Sequence, residues 1–373
     1  MSGWNGIFYN GIWCCGLDFL PTGSLGANSV FNSTSGITIG PTYARFSGKG
    51  AQANSNTYNG GYLGKALGVN LASMYLGFSF ESTGLPSSGL FIIATFYDAT
   101  AGGAQVSLCY NSSGELGFYT GNGLLSYDPS MTLLTGSTLS AVNTIIPNSY
   151  CYIEVFLTIN AGSGVLQVNV NGTSVLSLSG LNTRSTANSW VNYVYLGSGQ
   201  TSGYGNNHNI DDIYMLDTTG AAPFNTFLGP GRIQTDGPTA DSATSGLNAW
   251  SYTTPPGTDY GCCANIPANA TQYCYDSNPG DRMSFKFPSL ATAKVFFLNT
   301  WFSVQEDASG TRTIVPIFRN NSIDQVGPSA ISLATSYSYY NQISTLDPNT
   351  GSAWSSESVA TAAGCEIGLK IAS

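Results

Sequence analysis

Carboxylates are the first place to look for chemistry, and the chain has few. Its glutamates are Glu81, Glu115, Glu154, Glu306, Glu357 and Glu366. Cleaving a glycosidic bond takes two carboxyl groups on one face, one to protonate the leaving oxygen and one to attack or to activate water. None of these glutamates has another Glu or Asp two or four residues away, the spacing that would put both on one side of a strand. Glu306 and Asp307 are consecutive, so a strand would point them to opposite faces. No catalytic residue is assigned on this ground, and the expectation is a protein that is not an enzyme.

His208 is the only histidine, which excludes any site built from two or more. It sits in Gly205-Asn206-Asn207-His208-Asn209, ahead of Asp211-Asp212, with no Gly-x-Ser-x-Gly elbow in a strand–turn–helix setting. It reads as a polar loop residue. Asp211 and Asp212 offer the hard oxygen ligands that Ca²⁺ takes, but acids at a strand end more commonly accept from turn amides. No metal and no cofactor is expected.

The eight cysteines form no C-x-x-C, and none has a histidine near it in sequence, so a structural zinc site is not expected. Cys14-Cys15 and Cys262-Cys263 are adjacent pairs, while Cys109, Cys151, Cys274 and Cys365 stand alone. Cys365 alternates with Ile367, Leu369 and Ile371, which suits a buried thiol. The first pair lies in a Gly-rich N-terminal segment and the second in a Pro/Gly-rich loop, where thiols can reach partners. Cys14, Cys15, Cys262, Cys263 and Cys274 are therefore the candidates for disulfides, with no pairing assigned. Tyrosine, at 22 residues, is densest in Tyr337-Ser338-Tyr339-Tyr340. Such rings suit sugar or protein recognition and equally ordinary strand positions, so ligand-binding residues stay unassigned.

The elements that would position these groups are strands. Leu76, Phe78 and Phe80 alternate with small or polar residues, as do Val106, Leu108 and Tyr110, and Leu166, Val168 and Val170. The last run enters Asn171-Gly172 and leaves through Val175 and Leu176, a two-residue hairpin signal because both turn residues must take positive φ. Helical periodicity is nearly absent, and 45 glycines and 16 prolines punctuate the chain at sandwich-like intervals. A Gly/Pro mark at Phe227-Leu228-Gly229-Pro230-Gly231 follows a closing strand around Ile210 to Leu216, which divides the 373 residues into 1–225 and 226–373. New strands are expected over Met283–Phe287, Lys294–Val304, Thr311–Arg319 and Glu366–Ile371. The fold class is all-β, two sandwiches in series.

Composition narrows the partners. Charged residues make up only 8 % of the chain and the net charge is −9, against about 25 % charged residues in an ordinary protein. Clustered Lys and Arg, which a nucleic-acid binder needs, are absent. At 42 % hydrophobic and 12 % aromatic, the chain can build large cores. No apolar run approaches a membrane span, and Met1-Ser2-Gly3-Trp4-Asn5 has neither a basic n-region nor an apolar h-region, so neither a membrane nor a signal peptide is expected.

A series of segments carries a resemblance. Ala44-Arg45-Phe46-Ser47-Gly48-Lys49-Gly50 is similar to a Gly-Arg-Phe-Gly-Gly segment, with Ala and Ser replacing two glycines. Tyr150-Cys151-Tyr152-Ile153-Glu154-Val155 is similar to a W-x-Y-I-E-x strand with Tyr150 for the Trp, and Val168-Asn169-Val170-Asn171-Gly172 to the hairpin after it. Ile210-Asp211-Asp212-Ile213-Tyr214 with Asp217 and Gly220, then Phe227-Leu228-Gly229, leads into Pro238-Thr239-Ala240-Asp241. Asp347-Pro348-Asn349-Thr350-Gly351-Ser352-Ala353-Trp354 closes the series like a D-P-x-T-G-x-x-W segment. In this order they resemble tailed-bacteriophage virion proteins in which a concanavalin A-like (laminin G-like) jelly roll precedes a second β-domain.

The resemblance implies a concanavalin A-like jelly-roll sandwich followed by a second, smaller β-sandwich. It implies a structural component of a phage particle, such as a head decoration, a head or neck fibre or a tail fibre. Such a subunit would be made in the host cytoplasm and exposed on the virion. Its partners would be other virion proteins, further copies of itself (a trimer first) and host surface glycans. The alternative is a carbohydrate-active enzyme or depolymerase on the same jelly roll.

Overall fold

The computed structural model describes residues 11–28, 30–54, 60–121, 131–200, 206–243, 246–265, 268–288, 294–307, 312–327, 330–355 and 365–373. The N-terminal five residues and Glu357 lie outside this set. The chain forms two compact units, the larger ending at Gln234 and the smaller beginning at Thr235.

The larger unit starts with β1 (Ile12–Cys15), β2 (Gly23–Ser24), β3 (Ser33–Ser35), β4 (Ile37–Gly40), β5 (Gly50–Ala53) and β6 (Tyr62–Leu71). It continues through β7 (Ser73–Ser82), β8 (Phe91–Asp98), β9 (Gly103–Tyr110), β10 (Leu116–Thr120) and β11 (Thr132–Leu133). It closes with β12 (Cys151–Thr158), β13 (Gly164–Val170), β14 (Thr173–Leu181), β15 (Val191–Gln200) and β16 (His208–Leu216). A nine-stranded sheet runs β14-β13-β12-β7-β16-β5-β4-β2, with β1 also on β16; a seven-stranded sheet runs β11-β10-β9-β8-β15-β6-β3.

The alternation in the sequence becomes the two faces of these sheets. Along β13, Leu166 and Val168 are buried while Gln167 and Asn169 are half-exposed. Asn171 and Gly172 take φ of 51° and 78° between the paired Val170 and Thr173, as a tight hairpin turn requires. Apolar side chains of the two sheets meet between them: the Phe80 ring of β7 lies 6.1 Å from Tyr110 of β9. This is the sandwich core, and β16 is buried along its whole length because its other face is covered as well.

The smaller unit holds β17 (Ala240–Asp241), β18 (Ser251–Tyr252), α1 (Asp259–Cys263), β19 (Cys274–Tyr275), β20 (Arg282–Lys286) and β21 (Leu298–Val304). After these come β22 (Thr313–Asn320), β23 (Ile323–Val326), β24 (Ile331–Ser332), β25 (Ser338–Ser344) and β26 (Cys365–Ile371). A six-stranded sheet, β17-β20-β26-β22-β23 with β24 on β22, packs against the β21–β25 pair. Met283, Phe285, Ile314, Ile331, Tyr340 and Leu369 form that core, with Phe302 and Val304 against it. The all-β expectation holds in both units, helix being confined to α1 and one short 3₁₀ turn among the described residues.

Candidate functional site

The outer face of the nine-stranded sheet gathers polar side chains from separate strands. Register places Asn209 of β16 between Gln52 of β5 and Glu81 of β7. Gln52 Nε2 donates to Asn209 Oδ1 at 3.1 Å, and Asn209 Nδ2 donates to Glu81 Oε2 at 2.7 Å. Two residues on, Asp211 lies opposite Ser79, so Asp211 is the diagonal neighbour of Glu81 across the β7–β16 pair. Tyr150, just before β12, donates its hydroxyl to the Tyr43 carbonyl at 2.7 Å. Burial, with the charges of Glu81, Asp211 and Asp212 close by, pushes that phenol well above its usual range.

Asp211 and Asp212 share this side because the strand is not regular there. A shift of register falls between Asp211 and Tyr214, and Asp212 takes φ of 50°, so one extra residue is accommodated as a bulge. Asp211 accepts from the Asp212 N–H at 2.8 Å and from the Arg45 N–H at 3.3 Å. Asp212 accepts from the Ile233 N–H at 2.7 Å through Oδ1, while its buried Oδ2 has no hydrogen-bond partner. Burial and then the adjacent Asp212 charge raise Asp211, which keeps its proton towards neutral pH. Burial also raises Asp212, against the Ile233 amide and the Arg45 guanidinium, which favour its charged form. The expected role of these acids, accepting from backbone amides, is what both do. Among the described residues no cluster of metal-ligating side chains occurs.

Beside this site the segment after β16 folds back over the same face. Phe227 sets its ring edge-on to Tyr75 at 5.1 Å, and Tyr75 lies 4.6 Å from Phe156. Glu154 Oε1 accepts from the Tyr214 hydroxyl at 2.5 Å and the Gly229 N–H at 2.8 Å. The Arg45 guanidinium lies over the Tyr152 ring and donates to the Gly231 carbonyl at 3.0 Å. Gly77 makes room for Tyr214, since a Cβ there would stand 2.1 Å from a ring carbon. The sequence blocks around Arg45, Tyr152, Glu154, Tyr214 and Gly229 thus meet in one latch. It buries Glu154 completely, which removes that acid from contact with any substrate.

Other singled-out residues fall elsewhere. His208 is no loop residue: it opens β16, is 0 % exposed and lies beside Phe80 and Phe91. Its Nδ1 donates to the Gly197 carbonyl at 3.0 Å, so Nε2 accepts from the Tyr110 hydroxyl at 2.8 Å. Burial lowers its pKa to about 4. Cys14 and Cys15 are buried strand residues of β1, paired with Tyr214 and Ile213, and not part of an open Gly-rich segment. Cys262 is also buried, while Cys263 and Cys274 are half-exposed. Of the expected tyrosine cluster, Tyr340 enters the small core and Tyr337 is exposed. A denser cluster lies on the seven-stranded sheet, where Tyr195 stacks on Tyr193 at 4.5 Å and meets Tyr62 and Tyr97 edge-on. Its local signal was the alternation Tyr193-Val194-Tyr195.

No family model matches the chain, and no curated protein matches it. Among solved structures it is similar to the cellulose-induced protein Cip1, at 15 % identity and a TM-score of 0.37 over 57 % of this chain and 91 % of that one. The alginate lyase Aly36B matches at 14 % identity and 0.37, over 55 % and 96 %. A carbohydrate esterase, vb_24B_21 of the Shiga toxin-encoding bacteriophage phi24B, matches at 12 % and 0.35, over 50 % and 89 %. At these identities and scores no site residue carries over from them. Enzymes nevertheless stand among these neighbours, and the expectation that the chain is not an enzyme is withdrawn. The physical reason is that carboxyls can pair across strands as well as along one: Glu81 and Asp211 are diagonal neighbours on two strands far apart in sequence.

Proposed function

We propose that the chain is a carbohydrate-active enzyme on a jelly-roll sandwich, cleaving a glycosidic linkage of a polysaccharide at the outer face of the nine-stranded sheet. The observation that carries this reading is the diagonal placement of Glu81 and Asp211 beneath Tyr150, with Asp211 holding its proton. Two carboxyl groups in unlike environments are what acid–base cleavage of an acetal needs. Asp211 supplies the proton to the leaving oxygen, Glu81 is the second carboxyl, and Gln52 and Asn209 fix its orientation through the amide chain that ends on Glu81. Tyr150, whose proton is held by the Tyr43 carbonyl, accepts from sugar hydroxyls through its phenol oxygen.

The test is reducing-end release from a panel of neutral and acidic bacterial polysaccharides by wild type, E81Q, D211N and E115Q. Loss of about 100-fold or more in E81Q and D211N, with E115Q unchanged, is expected. Release that is absent in wild type, or equal in all four proteins, overturns the reading.

A second reading places this protein on the surface of a phage particle. The observation that favours it is that four of the resembling segments, those of Arg45, Tyr152 with Glu154, Tyr214 and Gly229, meet in one latch. Immunogold labelling of intact particles tests it, and particles without label overturn it.

A further inference from the structure

The smaller unit contains the only two cysteines among the described residues that are both half-exposed and adjacent in space. Cys263 ends α1 and Cys274 begins β19, and their Sγ atoms lie 3.6 Å apart. The neighbouring Cys262 turns the other way: it is buried and donates to the Thr253 carbonyl at 3.4 Å. Cys14, Cys15, Cys109, Cys151 and Cys365 are buried in sheets. Only one pair therefore combines contact with access to a dissolved oxidant.

We propose that Cys263 and Cys274 form an intramolecular disulfide when the protein meets a disulfide oxidant such as oxidised glutathione. One thiolate attacks a glutathione sulfur, giving a mixed disulfide and one glutathione thiolate. The second cysteine then displaces the other glutathione, so two protein thiols are oxidised and one glutathione disulfide is reduced to two thiols. The hydrogen bond with Cys263, then burial, raise the Cys274 thiol, and the 3.6 Å contact lets either sulfur complete the exchange that the other begins. The resulting bond ties α1 to the β18–β19 pair, whose register is the short Ser251–Tyr275 and Tyr252–Cys274 pairing. The chain carries both forms: a dithiol in reducing surroundings and a stapled unit in oxidising ones.

The experiment is treatment of the full chain with oxidised glutathione, alkylation of remaining thiols after denaturation, and peptide mapping without reduction. A loss of about 2 Da per chain, one cross-linked peptide joining Cys263 to Cys274, and six alkylated cysteines are expected. C263S abolishes the cross-link, and C262S leaves it in place. Eight alkylated cysteines, a Cys262–Cys274 link or cross-links between chains each overturn the proposal. The wild-type map decides this without reliance on either variant.

Discussion

His208 and Lys65 show what single buried groups do to the stability of this protein. His208 is fixed as the neutral Nδ1–H tautomer by Gly197 and Tyr110, between Phe80 and Phe91. Its folded pKa lies below the unfolded value, so its contribution is in place above about pH 6.5 and is lost as pH falls through about 4. As the only histidine, it gives one set of ring signals in a proton NMR titration, expected to stay flat from pH 8 to about 5.5. A midpoint near 6.5 would contradict the buried placement. Lys65 is 2 % exposed, donates to the Val30 carbonyl at 2.9 Å and lies over the Trp13 ring. Burial lowers its pKa to about 8. The unfolded chain holds that proton up to about 10.5, so stability from this group rises between pH 8 and 10.5. K65M should therefore gain about 1–2 kcal/mol at pH 7 after losing the Val30 hydrogen bond, and lose that alkaline rise. Denaturant unfolding at pH 7 and 9.5 measures both.

At the scale of elements, the latch decides how β7, β12 and β16 hold together. The Tyr214 hydroxyl bridges β16 to Glu154 on β12, across the space Gly77 leaves on β7. Tyr214→Phe leaves Glu154 Oε1 with the Gly229 amide alone, next to an Oε2 that already has no partner. Y214F should cost about 1.5–3 kcal/mol, and G77A should cost at least as much by driving the Tyr214 ring aside. Urea midpoints within error of wild type would show the latch to be idle. Most of these strands were legible locally. Leu76-Gly77-Phe78 and Leu166-Gln167-Val168 alternate in the open, and Asn171-Gly172 announces its turn. The Glu81–Asp211 pair was not, because it depends on β7 pairing with a strand more than a hundred residues downstream. The bulge at Asp212 was hidden too, since an aspartate at positive φ leaves no mark of its own in sequence. The tie between Tyr150 and Tyr43 likewise joins distant segments.

At the scale of the whole molecule, the question is where the larger unit ends. A Gly/Pro mark sets the split within about ten residues of 225, and the compact unit runs on to Gln234. The difference is physical: the intervening residues form no strand, yet they complete the outer face of the nine-stranded sheet. Phe227 covers Tyr75, Gly229 caps Glu154, Gly231 receives Arg45 and Ile233 gives its amide to Asp212. A chain ended after Asn225 loses all four contacts. It opens Glu154 and Asp212 to water and leaves Tyr75 uncovered. Lost hydrogen bonds to two carboxyls and one exposed aromatic face together cost about 4–6 kcal/mol, which for a unit of this size lowers the thermal midpoint by about 10 °C or more. A chain ended after Gln234 keeps every one of them. Differential scanning calorimetry of the two truncated chains, beside the transitions of the full-length protein, measures the difference. Equal midpoints for the two would mean that the segment only lies on the sheet, and that the natural boundary is the Gly/Pro mark after all.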